Sequence, residues 1–81
     1  MNNFKASALP DDARTARLRT ILQAMANGHT LKAIAPTIRG IHGGPMTLHG
    51  LATFFYREMH DAGCVNGAQF VATALRKGWI Q

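Results

Sequence analysis

The sequence predicts an all-α domain of four helices, and three observations carry that expectation. Apolar residues recur at helical spacing in three successive stripes between Leu18 and Met59. Short Gly-containing breaks separate the stripes, each followed by a Thr that can cap the next helix. Nowhere does the chain alternate apolar and polar residues as a half-buried strand does. At 81 residues and 47% hydrophobic composition, this is one globular domain with one small core, a size at which a partner surface often adds stability. The expected organisation is a loose, disordered tail over residues 1–10 and a folded domain over 11–81.

The first helix starts at Pro10-Asp11-Asp12, where an acidic side chain can accept from the free N–H groups of the first turn. It runs to about Ala26. Leu18, Ile21, Leu22 and Met25 face inward, and Arg14, Arg17, Arg19 and Gln23 face solvent. Asn27-Gly28 stops it, with Gly supplying the left-handed residue. Thr30 caps a second helix whose inward stripe is Leu31, Ile34, Ala35 and Ile38. Pro36 falls inside this stripe, removing a backbone donor and crowding the preceding turn. The second helix is therefore expected to be short, kinked or partly 3₁₀. The loop Gly40-Ile41-His42-Gly43-Gly44-Pro45 is expected to be flexible or sharply turned. Thr47 caps a third helix over about 46–61, ended by Gly63. Asn66 caps a fourth reaching Arg76 or Lys77, and after Gly78 the residues Trp79 and Ile80 fold back on the core.

Two short helices, a turn and a longer helix form the order of a helix-turn-helix. Stepping 100° per residue along the third helix puts Leu48, Leu51, Ala52, Phe55 and Met59 inward. His49, Gly50, Thr53, Arg57 and His60 then face outward, with Phe54 on the flank. Thr and Arg can read base edges in a major groove, and His can donate to bases or phosphates. A formal charge of +5 favours an anionic partner, double-stranded DNA first among them. Lys32, Thr30, Arg39 and Arg17 are candidate phosphate contacts. On the fourth helix, Val71 and Leu75 are expected to fill the core, with Phe70 and Ala74 at its edge as a homodimer or partner patch flanked by Arg76 and Lys77.

The segment Gln23-Ala24-Met25-Ala26-Asn27-Gly28-His29-Thr30-Leu31-Lys32-Ala33-Ile34-Ala35 resembles the LxxxAxGxxxKEIA stretch of LuxR/NarL-type (GerE-like) DNA-binding domains. Thr47-Leu48 stands where that family has the Thr-Val that opens its recognition helix. Phe55 and Glu58-Met59 fall at its Ile and Lys-Leu positions. Phe70-Val71, Ala74 and Gly78-Trp79-Ile80 are similar to its closing AVxxAxxxGLI, so the resemblance covers roughly residues 15–80. It implies a four-helix domain that binds DNA, often as a dimer through the last helix. The family's base-contacting positions would fall on His49, Gly50 and Thr53, none of them Lys or Arg. Leu18 replaces the family's acidic residue, Pro36 is foreign to its second helix, and the links before Thr47 and before the fourth helix are longer. The candidate DNA-binding set is therefore Thr30, Lys32, Arg39, Thr47, His49, Gly50, Thr53 and Arg57, with Phe54, Phe70 and Ala74 as a candidate interface.

Other chemistries find little purchase. The acids are Asp11, Asp12, Glu58 and Asp61, the one serine is Ser7 in the tail, and neither pattern makes a catalytic pair. His29, His42, His49 and His60 fit no zinc spacing, and His42-Gly43-Gly44 lacks the strand and Lys-Ser/Thr of a phosphate loop. Cys64 stands alone, so it is expected to be a small buried hydrophobe. No enzyme, metal or cofactor is expected. Neither a signal peptide nor a membrane span is evident, which makes the expected location cytoplasmic. The alternative function is a protein-interaction module that keeps this fold and binds or inhibits a partner without reading DNA, favoured by Gly50, Phe54 and the missing recognition-helix lysines.

Overall fold

A computed structural model describes residues 12–40 and 43–81. The expected tail, Asp11, Ile41 and His42 lie outside the described residues. The described residues form four α-helices: α1 (Ala13–Ala26), α2 (Leu31–Ile34), α3 (Leu48–Asp61) and α4 (Gly67–Arg76). Among them no helix is long and apolar enough to cross a membrane.

Side-chain chemistry sets where each helix starts. Asp12 accepts from the Thr15 N–H at 2.8 Å, Thr30 from Ala33 at 3.2 Å, Thr47 from Gly50 at 3.0 Å and Asn66 from Gln69 at 2.8 Å. Each bond reaches three residues ahead and satisfies a donor that the first turn leaves free. The ends of α1, α3 and α4 share one device. The N–H two residues past the cap reaches back five positions, from His29 to Ala24, Cys64 to Met59 and Trp79 to Ala74. The residue between is Gly28, Gly63 or Gly78, each at positive φ, as this closing motif requires.

Pro36 acts as its covalent structure dictates. The α geometry of α2 stops at Ile34 and gives way to a 3₁₀ turn over Ala35–Thr37. The link to α3 is a closed hairpin. Arg39 and Pro45 form an isolated antiparallel bridge, the Met46 N–H donates to the Ile38 carbonyl at 2.9 Å, and the Gly40 N–H donates to the Gly44 carbonyl at 2.8 Å. Gly43 supplies the positive φ within it.

The core gathers Leu18, Ile21 and Leu22 of α1 with Ile34, Ala35 and Ile38, then Leu51 and Phe55 of α3, Phe70 and Ala74 of α4, and Cys64 and Ile80. The rings of Phe55 and Phe70 meet at 5.5 Å, tilted by 47°. Helix α1 packs on α2 and α4, while α3 packs on α2, its 3₁₀ extension and α4.

Two inward assignments need correction. Phe70 and Ala74 are fully buried, whereas Leu75 is 46% exposed and Val71 only half-buried, so the core face of α4 is turned by about one residue step from the one expected. The physical reason is the partner: α4 turns the bulky Phe70 ring onto Phe55 and α1, leaving the other edge of its apolar arc outside. Leu48 is 46% exposed although Phe55, at nearly the same angle, is buried. The first turn of α3 projects beyond the elements that cover its middle.

Candidate nucleic-acid interface

The first turn of α3 is held by its own cap, since the Thr47 hydroxyl oxygen that accepts from Gly50 would lie 3.2 Å from a Cβ placed at that residue. Glycine at position 50 thus leaves room for the capping hydroxyl. Leu51 and Phe55 anchor the buried side of the helix. Opposite them His49, Thr53, Tyr56, Arg57 and His60 are all exposed and follow one helical stripe. No described residue takes a side-chain hydrogen bond or ion pair from this stripe, and it carries no carboxylate. Tyr56, 52% exposed with its ring edge-on to Phe55 at 5.6 Å, belongs to the stripe although the outward set read above omits it. Its spacing, seven residues past His49, was the signal that places it there.

The other candidates separate by element. Thr30 and Lys32 are exposed at the start of α2, with the Thr30 oxygen accepting from the backbone and its hydroxyl proton left to donate. Arg39 stands in the hairpin and donates through its guanidinium to the Gly43 carbonyl. Phe54 is half-buried, with the Arg17 guanidinium 5.6 Å from its ring centroid, so the ring is covered on that side rather than open. Phe70 and Ala74 sit in the core and cannot present a surface. The apolar surface that α4 leaves outside the core is instead the exposed Leu75 with the half-buried Val71 and Ala72, which with Met25 and His29 border a groove of about 400 Å³.

The solvent face expected for α1 is largely committed to tertiary contacts. Arg14 donates through Nε and Nη2 to the two carboxylate oxygens of Glu58 at 2.7 and 2.8 Å. That fork raises the Arg14 pKa further above its ordinary value. Gln23 donates to the Gln81 carbonyl at 2.6 Å and accepts from the Gln81 N–H at 2.8 Å, tying the chain end to α1. Among the described residues no three His, Cys, Asp or Glu side chains come together as a metal site would require.

No protein-family model, curated protein or solved structure matches the chain. The functional reading therefore rests on the helix order and on the face that α3 presents.

Proposed function

We propose that this chain is a non-enzymatic DNA-binding protein of LuxR-like helix-turn-helix type, a small cytoplasmic transcriptional regulator that seats α3 in the major groove. The observation that carries the reading is the α3 stripe itself. His49, Thr53, Tyr56, Arg57 and His60 are exposed together, with no carboxylate among them, on a helix held by its Thr47 cap and by Leu51 and Phe55 on its buried side. An α-helix with its side chains is about 10–12 Å across and the major groove is about 12 Å wide, so such a helix can enter and bring its outward residues to base edges. Lys32 and Thr30 at the start of α2 supply candidate phosphate contacts beside it.

Fluorescence anisotropy of a labelled random duplex at low salt tests the proposal. Binding that weakens steeply as salt rises supports it. No binding at roughly 100 μM protein, the weak end of nonspecific association, removes it.

A second reading has its own observation. The groove between α1 and α4, with Leu75 exposed at its edge, is an apolar surface suited to a protein partner or a second copy of the chain. Amide shifts confined to Val71, Ala72 and Leu75 on adding protein, with none on His49, Thr53 or Arg57 on adding DNA, would favour that reading.

A further inference from the structure

Three arginines stand close to the α1–α3 boundary, and they are not treated alike. Arg14 has a carboxylate, the Glu58 fork. One turn later Arg17 points elsewhere: its Nη2 donates to the Arg39 carbonyl at 3.4 Å and its guanidinium lies over Phe54. Arg39 reaches from the hairpin and donates to the Gly43 carbonyl. Arg17 and Arg39 line one open cleft of about 260 Å³ together with Ala13, Ala16, Thr20 and Thr37. No carboxylate lines it.

We propose that this cleft binds a phosphoryl oxyanion between the Arg17 and Arg39 guanidinium groups. Arg17 and Arg39 both line the cleft, and no acidic group in its lining offsets their charge. An anion does so directly. Each guanidinium commits one N–H to a carbonyl, which leaves most of its donors free in a planar fork that matches phosphoryl oxygens. The Arg39 carbonyl and the Phe54 ring both contact the Arg17 guanidinium. The Thr20 and Thr37 hydroxyls already donate to the Ala16 and Ile34 carbonyls, so the guanidinium groups are the principal donors.

The position gives the cleft a use. Around α3, Arg57 forms the edge of the exposed stripe and Gly50 lies between it and Phe54, the residue that Arg17 covers. A nucleic-acid strand beside the stripe on this side would bring a backbone phosphate to the cleft. The source of the phosphoryl group as a DNA backbone rests on the proposed function; the anion site itself does not.

The test is a heteronuclear NMR titration of the ¹⁵N-labelled full chain, following the arginine Nε–H signals and the amides of Ala16, Thr20 and Thr37. Sodium phosphate is added in one arm and a random duplex in another, with sodium acetate and sodium chloride as matched ionic-strength controls. Saturable movement of Arg17 and Arg39 with phosphate, absent from the acetate and chloride arms and lost in Arg17→Gln and Arg39→Gln but not in Arg76→Gln, supports the site. Movement of these two signals with duplex alone assigns the site to a backbone phosphodiester. The double variant should then lower the salt slope of duplex binding by about 1, the signature of one lost phosphate contact. Movement with phosphate but no duplex binding keeps the site and removes the DNA-binding reading. Duplex shifts on His49 and Thr53 with none at Arg17 or Arg39 in any arm keep the DNA-binding reading and overturn the site. Equal movement with acetate, or no movement in any arm, also overturns it. The wild-type titration decides the matter even if a variant fails to fold.

Discussion

Replacing Phe70 and Leu75 separately by Ala decides which face of α4 holds the core. Phe70 is fully buried and in ring contact with Phe55, so its loss removes both transfer energy and packing, about 3–5 kcal/mol. Leu75 is 46% exposed, and full burial of a Leu contributes roughly 1.5–3 kcal/mol, so its truncation should cost only about 1 kcal/mol. A domain of 81 residues has a total stability of roughly 4–12 kcal/mol, which makes Phe70→Ala a loss of about a quarter or more. Urea unfolding followed by far-UV circular dichroism reads both variants. With a slope near 1 kcal/mol/M for so small a protein, the midpoint should fall by about 3 M or more for Phe70→Ala and about 1 M for Leu75→Ala. The measurement is repeated at several protein concentrations, because a Phe70 placed at a dimer interface would give a deficit that grows on dilution. A larger loss for Leu75→Ala than for Phe70→Ala would refute the packing, since it would require α4 to be turned by about one residue step.

Asp12 has its pKa lowered, first by the backbone bond it accepts from Thr15 and then by the Thr15 side chain. A carboxyl depressed in the folded state stabilises the fold above its unfolded pKa and loses that contribution as pH falls through the folded value. Wild type and Asp12→Ala should therefore differ most near neutral pH and converge below about pH 4, near the free carboxyl value, and a gap that stays constant to pH 2 in thermal melts would contradict the cap. Gly28 has a φ of +98°, so Gly28→Ala should cost about 1–2 kcal/mol in urea unfolding, and a neutral result would show that α1 ends differently. Tyr56→Ala removes a half-exposed ring that meets Phe55 edge-on, so it should cost about 1 kcal/mol of stability while weakening duplex binding several-fold by anisotropy under conditions where the variant is folded. Unaltered affinity would take Tyr56 out of the interface.

Local chemistry was legible and partner choice was not. The caps at Asp12, Thr30, Thr47 and Asn66 and the glycines at 28, 63 and 78 act within a few residues of themselves, so the sequence shows where helices begin and end. Pro36 likewise imposes a 3₁₀ turn through its own ring. Helix α4 differs because Phe70, Val71, Ala74 and Leu75 form one continuous apolar arc. Its periodicity says that one side is buried but not where the centre of that side lies, which the Phe55 ring decides. The Arg14–Glu58 fork spans 44 positions, and the Ile38–Met46 pairing has no strand alternation to announce it. Tyr56 was within reach of the sequence, since helical spacing alone puts it beside His49 and Thr53.

The same contacts change what the formal charge means for binding. Of nine Lys and Arg residues, Lys5 lies outside the described residues, Arg14 is paired with Glu58, and Lys77 stands 5.8 Å from the Trp79 ring centroid on the far end of α4. The cations that α3, its flank and the start of α2 can offer a duplex are Arg57, Arg17, Arg39 and Lys32. With Arg17 and Arg39 sharing one phosphate, three phosphate contacts at about 0.9 each predict a log–log salt slope of roughly −3 for one protein on duplex DNA. A slope about twice as steep would mean that two copies bind together, which turns attention to the Val71–Leu75 surface of α4 as their junction. A slope near zero would refute the electrostatic part of the proposal, because an exposed Arg57 and Lys32 that meet phosphates must release counterions when they do so.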